Sequence, residues 1–126
     1  MVVAAFYWRQ HGDPATGRLL AQNNCGVCHD LTDKKVNERG PYLWGIVGRP
    51  AGAAVGFHYS DAFIQRVQSH ELHWTEQSLE QLLDDPTRFM PNIAMTQRKS
   101  QHALAFEGMQ LRDNRRDLIA FLKTLR

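Results

Sequence analysis

Residues 25–29 read Cys25-Gly26-Val27-Cys28-His29 and contain both cysteines of the chain. Two thiols three positions apart, with an imidazole directly after the second, admit several chemistries. A redox dithiol needs a strand before it and a parallel βα pattern around it, and neither surrounds these residues. A structural zinc site needs four ligands, and no second Cys or Cys/His pair stands at usable spacing. A disulfide across two residues would be a poor staple for a domain of this size. The reading that uses all three side chains is covalent haem attachment. Each thiol adds to a vinyl group as a thioether, the two thioethers pin one edge of the porphyrin, and His29 falls under the iron as its proximal ligand. By themselves the five residues also fit two buried free thiols beside an incidental histidine.

Outward from this stretch, length and composition set bounds. The chain has 126 residues, room for one domain. It is 43% hydrophobic and 22% charged, the balance of a globular protein rather than a disordered or fibrous one. Fifteen Lys and Arg against 13 Asp and Glu leave a net charge of +2, too small and too evenly spread for nucleic-acid binding. No apolar run approaches the roughly 20 residues of a membrane helix. With 9 Gly and 5 Pro, and little between Asp30 and Phe57 that would fold alone, the core calls for apolar volume from outside the chain. A prosthetic group would supply it.

The apolar opening, Met1 to Trp8, is too short for a complete signal peptide. Residues 1–11 are expected to be either an N-terminal extension packed on the domain or the stub of a trimmed leader or membrane anchor, with the domain proper at 12–126. Helices are expected at four places. Asp13 caps and Pro14 opens a segment running to Asn24. Ser60 caps Asp61–Gln68, and Thr75 caps Glu76–Leu83, which Asp85-Pro86 ends. At the C-terminus, Leu118, Phe121, Leu122 and Leu125 form one apolar stripe, with Arg115, Arg116, Asp117 and Lys123 off it. Asn114 and Asp117 there resemble a capping box. Strand signals are weak, so the class is all-α with long loops.

Further motifs follow in order: Gly40-Pro41-Tyr42-Leu43-Trp44-Gly45-Ile46-Val47-Gly48-Arg49, Gly56-Phe57-His58-Tyr59-Ser60, Trp74-Thr75, Asp85-Pro86, Pro91 four residues before Met95, and Asp117-Leu118-Ile119-Ala120-Phe121-Leu122-Lys123. Together with residues 25–29 they resemble class I cytochrome c, the small soluble mono-haem branch of mitochondria and bacteria, from Gly12 to the C-terminus. The resemblance implies crossing N- and C-terminal helices, with Gly17 at the crossing opposite Leu118 and Phe121, and loops wrapped around one haem c. It implies that the Pro41 carbonyl accepts a hydrogen bond from His29, a contact that fixes the ring and raises its basicity. Arg49, Tyr59 and Trp74 match positions that bond or neutralise the buried propionates, which need such donors. Two propionates would bring the net charge close to zero before the iron is counted. Met95 matches the distal thioether ligand, which favours ferrous iron relative to bis-His ligation. Met90 and Met109 are rivals that read as core, and His102 is a rival imidazole.

Several departures accompany the likeness. Phe106-Glu107-Gly108 arrives only after an inserted segment, 97–105, that carries Arg98 and Lys99. This segment reads either as a solvated loop or as a partner-recognition element beside the haem edge. Pro91-Asn92-Ile93-Ala94-Met95 replaces the usual Pro-Gly-Thr-Lys-Met, so a propionate-bonding threonine is missing at Ile93. Leu82 stands where a tyrosine commonly bonds the methionine sulfur, and residues 63–72 carry a smaller insertion. Lysines are few: Lys34, Lys35, Lys99 and Lys123.

The function expected is one-electron transfer between redox protein partners, respiratory or dehydrogenase, without an enzymatic reaction of its own. The chain would be a monomer in the periplasm or, in a eukaryote, the mitochondrial intermembrane space, with a membrane tether upstream if the stub is an anchor. The competing expectation is a small-ligand sensor or peroxidase-like protein with a labile Met95.

Overall fold

The computed structural model describes residue 7, residues 10–97 and residues 105–126. The described regular structure is helical: α1 (Pro14–Asn24), α2 (Asp61–Ser69), α3 (Glu76–Asp84), α4 (Pro86–Phe89), a 3-10 turn (Ala94–Thr96) and α5 (Arg112–Leu122). Strand pairing among the described residues is confined to an isolated bridge between Pro50 and His73. Most of the expected elements and caps are present. The Asp13 carboxylate accepts from Ala15 N and Pro14 opens α1. Ser60 accepts from Phe63 N to start α2. Thr75 and Ser78 cap α3 reciprocally, each side chain accepting from the other's backbone N–H at 3.1 and 2.8 Å.

Helices α1 and α5 cross with their backbones in contact. A Cβ built on Gly17 would run into the Asp117 carbonyl and the Phe121 Cβ, so no side chain fits. The glycine expected at the crossing is there, with Asp117 and Phe121 closest to it. Gly12, at φ +88°, makes a second close approach against the Arg116 carbonyl, one that the sequence did not announce. Leu118, Ile119, Leu122 and Leu125 are buried in a core that also holds Ala21, Leu79, Leu82, Leu83, Met90 and Met109. Each such large side chain contributes about 2 kcal/mol of transfer free energy.

Two expectations are corrected. The capping box at Asn114 and Asp117 does not form: α5 starts at Arg112 after Leu111, which has no capping side chain. Asp117 instead accepts from Asp13 N at 2.8 Å, so its carboxylate serves the start of α1. Arg115, expected on the polar face, is buried. Glu80 and two backbone carbonyls receive its guanidinium there. Asp85-Pro86 ends α3 but also begins α4, because the Asp85 carboxylate accepts from Arg88 N while Pro86 takes the first helical position.

Residues 30–57 contain no helix, and their shape is set by individual bonds. The Asp30 carboxylate accepts from the backbone of Thr32 and Val36 and from the Thr32 hydroxyl. Asn37 donates to the Val55 carbonyl at 2.8 Å. Gly45 N donates to the Leu125 carbonyl at 2.6 Å, tying this loop to the end of the chain.

Candidate haem site

Cys25 closes α1, its N–H donating to Ala21 O at 2.8 Å. The N–H groups of Cys28 and His29 then both donate to Cys25 O, at 3.0 and 2.9 Å. One turn therefore carries both thiols and the imidazole. The cysteines are unpaired and half-buried. Burial, and secondly the charge of Cys28, push the Cys25 thiol up to about 12.

His29 Nδ1 lies 2.6 Å from the Pro41 carbonyl. A carbonyl only accepts, so Nδ1 carries the proton and Nε2 keeps its lone pair. Burial is the main cause holding the imidazole below its ordinary pKa, ahead of the opposing bond to Pro41. A neutral ring, oriented through Nδ1 and basic at Nε2, is the metal-ligating form of histidine. Gly40 makes room for it, since a Cβ there would overlap the ring, and Gly40 N donates to Cys28 O at 2.8 Å.

Arg49 and Trp74 come together across a short backbone ladder. Trp74 N donates to Arg49 O at 2.9 Å and Gly48 N to Trp74 O at 2.6 Å. The Arg49 guanidinium donates to the carbonyls of Tyr42 and Trp44 at 2.9 and 3.2 Å and sits 4.9 Å over the Tyr42 ring. Its Nε is buried with no partner, the one such side-chain nitrogen or oxygen among the described residues. Desolvation holds its pKa below the usual value, yet it remains a cation. A buried, unpaired N–H on a half-buried cation marks a place where an anion fits.

Tyr59 stacks on Phe63 at 4.9 Å, and its hydroxyl accepts from Ala54 N at 3.0 Å, leaving the phenolic proton to be donated elsewhere. Trp74 is buried, its ring 6.3 Å from Phe89.

Met95 sits half-buried in the 3-10 turn and packs against the same apolar cluster that Cys25 touches. Asn92, in place of the family's glycine, adopts φ +66°, a conformation Asn tolerates better than other non-glycine residues. Met90 and Met109 are both buried in the core, as expected of gap-filling methionines. His102 and most of the insertion, residues 98–104, lie outside the described residues, as do residues 1–6, 8 and 9 of the N-terminal segment.

These groups fit a haem: unpaired thiols and an oriented imidazole on one turn, a half-buried cation with an unused buried donor, and a thioether against the shared core. They define a c-type haem protein of helical fold. The sequence profile of the family described as Cytochrome c matches residues 14–126. The chain is 33% identical over 115 residues to "Cytochrome c" of Euglena viridis, covering 91% of this chain and 99% of the relative. It is 34% identical over 119 residues to "Cytochrome c2 iso-1" of Rhodospirillum centenum, covering 91% and 98%. The same identity and length hold for "Cytochrome c-550" of Novispirillum itersonii, covering 91% and 100%. The chain belongs to the cytochrome c family. It is an electron carrier with covalently bound haem c, and the sensor or peroxidase-like alternative is not favoured.

Sequence reasoning missed the part played by Tyr42, which lies under Arg49 and gives it a carbonyl. Its place seven residues before Arg49 carries no periodic signal, because the contact arises from the loop's path.

Proposed function

We propose that Cys25 and Cys28 hold the haem through thioethers, that His29 and Met95 ligate its iron, and that Arg49, Tyr59 and Trp74 receive its propionates. The observation carrying this reading is the His29 ring, oriented through Nδ1 by the Pro41 carbonyl and set in the same turn as both thiols. Bound haem c supplies a one-electron ferric/ferrous couple. With His29 and Met95 both holding the iron, the change of oxidation state would call for little rearrangement of side chains. The Pro41 carbonyl raises the basicity of His29. The Met95 thioether, a soft and weak donor, favours the reduced state relative to a second imidazole. Arg49 offers its spare Nε–H and a full positive charge to a propionate, and Tyr59 offers its phenolic proton.

The domain at 12–126 acts as a carrier between a redox donor and an acceptor protein and transforms no substrate itself. Thioether formation belongs outside the cytoplasm, in the periplasm or its organellar equivalent, and we place the protein there as a monomer. Among the described residues no helix is long and apolar enough to cross a membrane.

The test is an intact mass with optical spectra of the ferric and ferrous protein, expressed with haem-ligation machinery. The expected result is one haem added by mass and a far-red sulfur-to-iron charge-transfer band in the ferric form, lost in Met95→Ala. An unmodified mass would end the thioether assignment, and an absent band would end that of Met95.

A further inference from the structure

We infer that Glu80 and Arg115 form a clamp that positions the limb bearing Met95, an inference that rests on Met95 being the sixth ligand. The Met95 carbonyl accepts from Phe106 N at 2.7 Å. The two ends of the intervening residues are thereby joined, and the backbone at Met95 is tied directly to that at Phe106. Beyond Phe106 the chain presses on the α3–α4 junction. Gly108, at φ +99°, lies so close that a Cβ there would stand 2.7 Å from Asp84 O and 3.1 Å from Pro86 Cδ. Met109 N donates to Leu83 O at 2.7 Å.

Arg115 grips the same segment through its carbonyls. Its Nη1 donates to Met109 O at 2.7 Å and to Gln110 O at 3.0 Å. Its Nε donates to Glu80 Oε1 at 2.6 Å, with the Asp84 carboxylate 3.6 Å from Nη1. The guanidinium side chain is only 9% exposed, whereas that of Glu80 is 38% exposed. A buried cation keeps its place when a charge partner compensates its lost hydration. Without Glu80 the guanidinium is drawn towards water and lets go of both carbonyls. A second ion pair, Lys123 to Glu76 at 3.1 Å, joins the same two helices but is absent from the bonds around residues 106–110. It serves as an internal control.

The experiment uses the haem-loaded protein and compares Glu80→Ala with Glu76→Ala. Free imidazole competes with Met95 for the iron, so its apparent affinity reports how often the Met95 limb opens. In Glu80→Ala the expected changes are imidazole binding about tenfold tighter and exchange of the Phe106 and Met109 amides about tenfold faster, as for loss of a hydrogen bond to a charged group. Glu76→Ala leaves both unchanged, and Glu80→Gln, which keeps an acceptor, restores much of the wild-type behaviour. Equal effects of the two alanine variants would reduce the clamp to general α3–α5 packing and overturn the inference. So would faster exchange with unchanged imidazole affinity. If the wild-type ferric protein lacks the sulfur-to-iron band, the Met95 assignment fails, and with it the positioning role. Amide exchange in Glu80→Ala separately reports whether the backbone clamp exists.

Discussion

The crossing of α1 and α5 and the loop at 30–57 are stabilised in opposite ways. At the crossing, every contact is made by the chain's own atoms: glycine against carbonyl, Asp117 on Asp13 N, and leucines beneath. In the loop, single side-chain bonds replace a helix. A buried guanidinium N–H there is unmatched by any protein acceptor. The crossing is complete as a polypeptide, whereas the loop is complete only with an anion and apolar bulk that the chain does not contain. One sequence can therefore encode half of a fold by packing and the other half by preparing to receive a group.

The contrast gives an order of effects. Replacing both Cys25 and Cys28 by Ser should abolish covalent haem, seen by mass. Circular dichroism should then show residual helix, with cooperative unfolding largely lost, because the loop loses its filling. A chain that still unfolded sharply would show that the loop is self-sufficient. Next in size, Gly17→Ala forces α1 off α5 and should cost about 3 kcal/mol in a denaturant titration, since backbone rather than a flexible side chain blocks the methyl. Arg49→Met should cost about 2 kcal/mol in the haem-loaded protein, the scale of a hydrogen bond to a charged group. In the haem-free double-serine chain the same change should leave the residual helix signal unchanged or raise it, because it removes a buried unpaired donor. An unchanged stability of the haem-loaded Arg49→Met protein would refute the assigned propionate contact.

The smallest effect is at Asp30. Backbone hydrogen bonds from Val36 and Thr32 hold its carboxyl below the ordinary 3.8. A carboxylate depressed in the folded state stabilises above its unfolded pKa, and that gain is lost as pH falls through the folded value. Acid titration of Asp30→Asn should accordingly show a shallower loss of stability below pH 3.8 than the wild type.

Local signals carried much of this fold. Asp13-Pro14, Ser60 and Thr75 each name a helix start because a cap satisfies its own first turn and needs no distant partner. The same locality misled at Asn114 and Asp117, where the carboxylate is engaged 104 residues away. The four-residue α4 is too short to show a period, and Asp85 caps both sides of the joint. At the site, Cys25, Cys28 and His29 were legible because one turn contains them. Pro41, Arg49, Tyr59, Trp74 and Met95 came from resemblance, since no spacing rule brings such separated residues together. Arg115 was misjudged for the same reason: helical periodicity assigns it to the outside, and only the tertiary position of Glu80 makes burial tolerable.

The bond from Asp13 N to the Asp117 carboxylate has a temporal side. Its donor is translated 104 residues before its acceptor, so the closure waits until α5 has been made. Until then α1 lacks its partner, and a single late carboxylate both completes the first helix and fixes when that completion can occur.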